Sequence, residues 1–206
     1  WIQGSDDSGY KVFTLDGATV RIKDGVTIDF VISEDSSSGS QDEDITSSDT
    51  TSGADAVKTG SGADTVDAGS GADIIQTDAG DDTVYYDVDD LRVFGGAGND
   101  TLVITDHLDG GSPGSPIADL STKGGTQLTG FEVIDLTEVG NHSVKLDEAS
   151  VLAMSDTGRV TVRGESGDEL HLYGGWAYVN VESDASGAIF KVLQKGEAFV
   201  TVSDAV

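Results

Sequence analysis

The sequence predicts an all-β chain: short strands repeating every nine residues, a small β-meander before them, and an antiparallel β-domain with one short helix after them. Three observations lead there. An apolar residue recurs every nine positions, at Val57, Val66, Ile75, Val84, Val93 and Leu102. An aspartate recurs two places earlier, at Asp55, Asp64, Asp73, Asp82 and Asp100, with Leu91 breaking the series. On both sides of this block, short β-prone runs alternate with glycine-rich turn signals, a pattern of meanders and curled sheets.

Residues 1–33 hold three such runs, Tyr10–Leu15, Thr19–Ile22 and Val26–Ile32, punctuated at Gly9, Asp16-Gly17 and Asp24-Gly25. They predict a meander, or a cap on the repeat block. Residues 34–52 carry six acidic and no basic residues among many Ser and Thr. This stretch is either an acidic linker or a set of degenerate repeats.

The repeat proper spans 53–105. S-G-A-D-A-V from Ser52 is followed by S-G-A-D-T-V at 61–66, S-G-A-D-I-I at 70–75 and A-G-D-D-T-V at 79–84. The copy at 95–103, G-G-A-G-N-D-T-L-V, is the most complete. The copy at 86–94 has no glycine and no acid in phase. It predicts an interruption, with a site lost or remade by Asp87, Asp89 or Asp90.

Residues 106–130 read as a Gly/Pro loop around Pro113 and Pro116. Within it Gly110-Gly111-Ser112-Pro113-Gly114 fits G-x-S-x-G. No strand leads into that serine and a proline follows it, so it does not read as a nucleophile turn.

Residues 131–206 read as the β-domain. Phe131–Leu136 alternates, placing Phe131, Val133 and Asp135 on one face. Asp147 is an N-cap for a helix over Glu148–Met154. Strands are predicted at Val160–Arg163, Glu169–Tyr173, Ala177–Val181, Ile189–Leu193 and Ala198–Val202.

Charge narrows the function. The 206 residues include 38 acidic and 11 basic ones, a formal net charge of -27. Such a surface repels a phosphate backbone, so no nucleic-acid partner is expected; its natural counter-ions are metal cations. From Glu34 to Asp109 there are 19 acidic residues against Lys58 and Arg92 alone. No cysteine is present, which excludes disulfides and thiolate zinc sites. No apolar run is long enough for a membrane-spanning helix. No basic-then-apolar signal opens the chain, and Trp1 in place of Met suggests a piece of a longer protein.

Segment 95–103 matches G-G-x-G-x-D-x-U-x at every fixed position, and that nonapeptide is the calcium-binding repeat of RTX proteins. The block resembles the RTX parallel β-roll. The resemblance implies two repeats per coil, so Asp55 and Asp73 line one edge and Asp64, Asp82 and Asp100 the other. It also implies that carbonyls around Gly53, Gly60, Gly62, Gly69, Gly71, Gly80, Gly96 and Gly98 complete the calcium shells. Carboxylates about 4.8 Å apart on neighbouring coils repel by about 3.5 kcal/mol at an effective dielectric of 20. Three stacked pairs thus cost on the order of 10 kcal/mol, comparable with a domain's whole stability of roughly 5–15 kcal/mol. Calcium, with six to eight oxygen ligands, is the expected counter-ion, in three to five copies.

F-E-V-I-D-L at 131–136 and G-D-E-L-H-L-Y-G-G-W at 167–176 look like the C-terminal end of large RTX adhesins. That resemblance implies a non-catalytic, monomeric module, recognised by a type I exporter through a signal within 131–206 and folded by extracellular calcium. Two alternatives stand beside it: an adhesion module whose Trp176, Tyr173, Tyr178 and His171 hold a glycan or surface ligand, and the RTX tail of an upstream enzyme. His107, His142 and His171 are scattered, and no H-E-x-x-H occurs, so no catalytic site is expected within the chain.

Overall fold

The computed structural model describes residues 2–5, 10–15, 18–23, 28–32, 42, 44–45, 50, 52–105, 117–122, 127–203 and 206. The turns at Gly9, 16–17 and 24–25, most of 34–52, and the loop with Gly110–Gly114, Pro113 and Pro116 lie outside the described residues.

β1 (Ile2–Ser5), β2 (Tyr10–Leu15) and β3 (Ala18–Lys23) form the expected antiparallel meander. The next run does not join it. β4 (Ile28–Ile32) pairs in parallel with β6 (Ala54–Ser61). β-propensity marked this segment as a strand, but propensity carries no information about its partner.

From here, strands alternate between two parallel ladders. The first contains β4, β6, β8 (Ile74–Ala79), β10 (Arg92–Phe94) and β13 (Leu128–Thr129). The second runs through β5 (Asp44–Ile45), β7 (Thr65–Asp67), β9 (Thr83–Tyr86), β11 (Thr101–Ile104), β14 (Val133–Asp135), β16 (Arg159–Arg163) and β20 (Ala198–Ser203). Two antiparallel strands, β19 (Ile189–Lys195) and β18 (Ala177–Ser183), close its far end. A third parallel sheet holds β12 (Ile117–Asp119), β15 (Ser143–Leu146) and β17 (Glu169–Leu172).

The nine-residue period explains the alternation. Val57 registers with Ile75 and Val66 with Val84, so partners within a ladder are two repeats apart. Each repeat has room for only one short strand after its glycine turn, so the next repeat supplies the opposite ladder. The apolar track faces inward: Val57, Val66, Ile75, Val84 and Leu102 are 0 % exposed and Val93 1 %. Ile134 and Val162 continue it in register beyond Leu102.

The expected antiparallel β-domain over 131–206 is corrected in its pairing. β14, β16 and β20 extend the parallel ladder, and only β18, β19 and β20 pair antiparallel. Parallel neighbours need a long crossover, and residues 136–158 supply one. It includes α1 (Glu148–Met154), which packs against β13, β16 and β20. The helix has the predicted bounds. The Asp147 carboxylate accepts from Ser150 N–H, and the Ser150 hydroxyl accepts from Asp147 N–H, a reciprocal cap. The Phe131–Leu136 face is also corrected: Ile134, not Asp135, continues the inner track, while Phe131 and Val133 are buried as well.

Candidate metal centre

Each phased aspartate from Asp64 onward is the residue immediately before a strand. Asp64 precedes β7, Asp73 β8, Asp82 β9 and Asp100 β11. The tight glycine turn ends there, and the acid side chain is folded into the stack: Asp55, Asp64, Asp73, Asp82 and Asp100 are all at most 1 % exposed.

Their contacts run along the stack. Asp73 Oδ1 accepts Asp55 N–H at 2.9 Å, Asp82 Oδ1 accepts Asp64 N–H at 2.8 Å, and Asp100 Oδ1 accepts Asp82 N–H at 2.9 Å. Each carboxylate therefore caps the backbone one coil earlier. The stacked carboxylates therefore also accept a backbone N–H each, which offsets part of the repulsion between neighbouring acids.

Glycine carbonyls share this space. Gly80 has φ +151, and a Cβ there would overlap the Gly62 carbonyl oxygen and lie 3.2 Å from Asp82 Oδ1. A Cβ on Gly71 would overlap the Gly53 oxygen and come within 2.9 Å of Asp73 Oδ1. One carbonyl oxygen and one phased carboxylate oxygen thus converge at these two levels, and a side chain would fill the cradle they form. Gly98 stands in the same relation to the Gly80 oxygen, and Gly96 to that of Asp78. Gly60, Gly62 and Gly69 also take positive φ. Asp78, which replaces a glycine of the repeat, adopts φ 68, a conformation aspartate tolerates better than most residues. Its carboxylate pairs with Lys58 at 3.0 Å.

The second carboxylate oxygens decide the electrostatics. Oδ2 of Asp73, Asp82 and Asp100 is buried without a hydrogen-bond partner. Burial, reinforced by neighbouring acids, pushes Asp73 and Asp100 up to about 7, against the pull of the N–H groups they accept. Asp82 is raised for the same reason. The donors are hard oxygens, with no imidazole or thiolate in these turns. Among the described residues no three acidic or imidazole side chains converge on one point. Each level therefore offers carboxylate plus carbonyl oxygens, a set suited to calcium's flexible, oxygen-rich shell and unsuited to zinc.

The column is longer than the period revealed. Glu132 Oε2 accepts Asp100 N–H at 3.1 Å, and a Cβ on Gly95 would meet the Gly130 oxygen and Asp100 Oδ2. Gly130-Phe131-Glu132-Val133-Ile134 has the G-x-D-x-U spacing with Glu for Asp, but it is out of the nine-residue phase. At the other end, Asp42 Oδ1 accepts Ala63 N–H at 3.0 Å, and Ile45 is buried, so these two residues of the acidic stretch join the stack. The third sheet repeats the contact: Asp168 Oδ1 accepts His142 N–H at 2.8 Å.

The aromatic group near the C-terminus is spread out. Trp176 packs partly against the core and its Nε1 donates to Tyr173 O at 3.1 Å. The Tyr173 face is covered by Lys145 at 4.5 Å. Tyr178 is exposed on β18, and His171 contacts Glu169 at 3.0 Å.

Residues 49–87 and 92–103 match the family model of the RTX calcium-binding nonapeptide repeat, in four copies. No curated protein and no solved structure gives a significant match. The family match thus falls on the glycine turns that carry the buried aspartates, and it supports an RTX calcium-binding repeat region there.

Proposed function

We propose that the two ladders are a parallel β-roll held by calcium, and that the chain is a non-catalytic module of a secreted adhesin. Asp55 with Asp73, Asp64 with Asp82, and Asp82 with Asp100 supply the carboxylates, joined by carbonyls of the glycine turns. Glu132 extends the set. The observation that carries this reading is the row of buried Oδ2 atoms on Asp73, Asp82 and Asp100, each without a hydrogen bond.

Calcium supplies the positive charge that lets these carboxylates remain ionised inside the stack. Its binding free energy becomes folding free energy. In calcium-poor cytosol the charge of -27 opposes collapse and keeps the chain open for a type I exporter. Outside, calcium closes the turns. The module acts as a monomer and needs no enzyme chemistry of its own.

Far-UV circular dichroism during calcium titration tests the reading, with magnesium and EGTA as controls. Strand signal rises with calcium and falls with EGTA, while magnesium substitutes poorly. A spectrum indifferent to chelation would remove the proposal. Secretion of the full chain from cells with and without a type I exporter tests the export step.

A further inference from the structure

The repeat that breaks the pattern holds an acid where the period has none. After Asp55 and Asp73, the next position on that edge is Leu91, which is 38 % exposed. Leu91 N–H and Arg92 N–H instead bond the Asp73 carbonyl, at 2.9 and 3.3 Å. One residue earlier, Asp90 is only 3 % exposed. A closed turn directs it inward: Asp90 N–H donates to Asp87 O at 3.1 Å, Asp89 N–H to Asp87 Oδ1 at 2.9 Å, and Asp87 N–H to Asp90 Oδ2 at 3.0 Å.

Three buried oxygens around this turn have no hydrogen-bond partner: Asp73 Oδ2, Asp90 Oδ1 and the Tyr86 hydroxyl. Asp73 and Asp90 lie within electrostatic range of each other. Tyr86, 1 % exposed, has Asp90, Asp87 and Asp89 as its charged neighbours. The phenol belongs to the end of β9 and not to the acidic turn that follows it. Buried polar atoms are nearly always bonded, and a hard cation explains all three oxygens together.

We propose that Asp73 and Asp90 hold a further calcium ion, with the Tyr86 hydroxyl beside it. Asp90 is one residue out of the nonapeptide phase and lies within the gap at 88–91 that the family match leaves, whereas Asp73 and Tyr86 lie inside the matched stretch. The one-residue slip restores the rung that Leu91 would have cost this edge. The inference rests on the calcium reading of the repeat.

The test counts ions per chain by equilibrium dialysis and elemental analysis, on the unmodified chain, Asp90→Asn and Tyr86→Phe. Asp90→Asn is expected to bind one ion fewer, with its strand signal in saturating calcium retained. Tyr86→Phe is expected to keep the ion count but lose part of the tyrosine-sensitised emission when terbium replaces calcium. An unchanged count in Asp90→Asn overturns the inference and leaves the calcium reading intact. If Asp90→Asn does not fold, undiminished terbium emission in Tyr86→Phe overturns it instead. An unmodified chain that binds no calcium overturns both.

Discussion

One ladder is held together in two ways along its length. From β7 to β14, the position before each strand is acidic: Asp64, Asp82, Asp100 and Glu132. Carrying the register from Val133–Thr161 one residue back puts Val160 opposite Glu132, and Val200 follows Val160. Both valines are 0 % exposed. The inner track is apolar in both halves, so strands and core do not distinguish them; the turn edge does. At one end, the edge needs a counter-charge. At the other, each buried valine contributes about 1.5–3 kcal/mol without one. In the calcium reading proposed above, the acidic edge is what calls for the ion, not the parallel ladder.

Removing calcium is the largest perturbation of that contrast. Hydrogen exchange in EGTA is expected to show amides of 53–105 losing protection, while those of 159–163 and 198–203 retain it. Equal loss in both halves would mean that the ladder melts as one unit and the contrast has no energetic meaning.

Acid is the next strongest lever. Asp73 and Asp100 lie at about 7 in the fold, against 3.8 for a free side chain. The folded turns then hold protons that the unfolded chain releases, so this contribution is fully present below pH 3.8 and lost as pH rises through 7. Without calcium, strand signal should be greater at about pH 4.5 than at about pH 8. With calcium the sign reverses, because protons compete with the ion: affinity should fall below about pH 7. A calcium-free spectrum that is flat with pH would contradict the burial of these acids.

Phe131→Ala probes the apolar core where the acidic edge ends, beside Glu132. Phe131 is 0 % exposed, and truncating a buried phenylalanine costs about 3–5 kcal/mol. Chemical denaturation should report a similar loss with calcium and with EGTA. A loss confined to calcium would place Phe131 with the metal-dependent half. The smallest effect belongs to Asp147→Ala, which removes the helix cap at about 1 kcal/mol. Thermal melts should register it without any change in calcium affinity.

Much of this was legible in the residues. Six in-phase apolar positions located the core, and the phased aspartates located the turns. Asp147 marked where the helix begins. Partner choice was not legible, because a strand's propensity says nothing about the direction of its neighbour; β4 and β14 show this. Glu132 was hidden by the insertion of residues 106–130, which shifts it out of the nine-residue phase. Asp90 was put forward together with Asp87 and Asp89, but a period test looks at 91 and does not choose among the three. Both acids reached the column through turn geometry, which counting along the chain does not measure.

The caps made by the phased acids point one way, whereas Asp42 on Ala63 N–H and Asp81 on Asn99 N–H point the other. Asp55 N–H is held by Asp73, Asp64 N–H by Asp82, Asp82 N–H by Asp100 and Asp100 N–H by Glu132. Each of these four turns is latched by the one downstream of it. Opening the column at Glu132 removes the acceptor of Asp100 N–H and is expected to loosen that turn before the turn of Asp64.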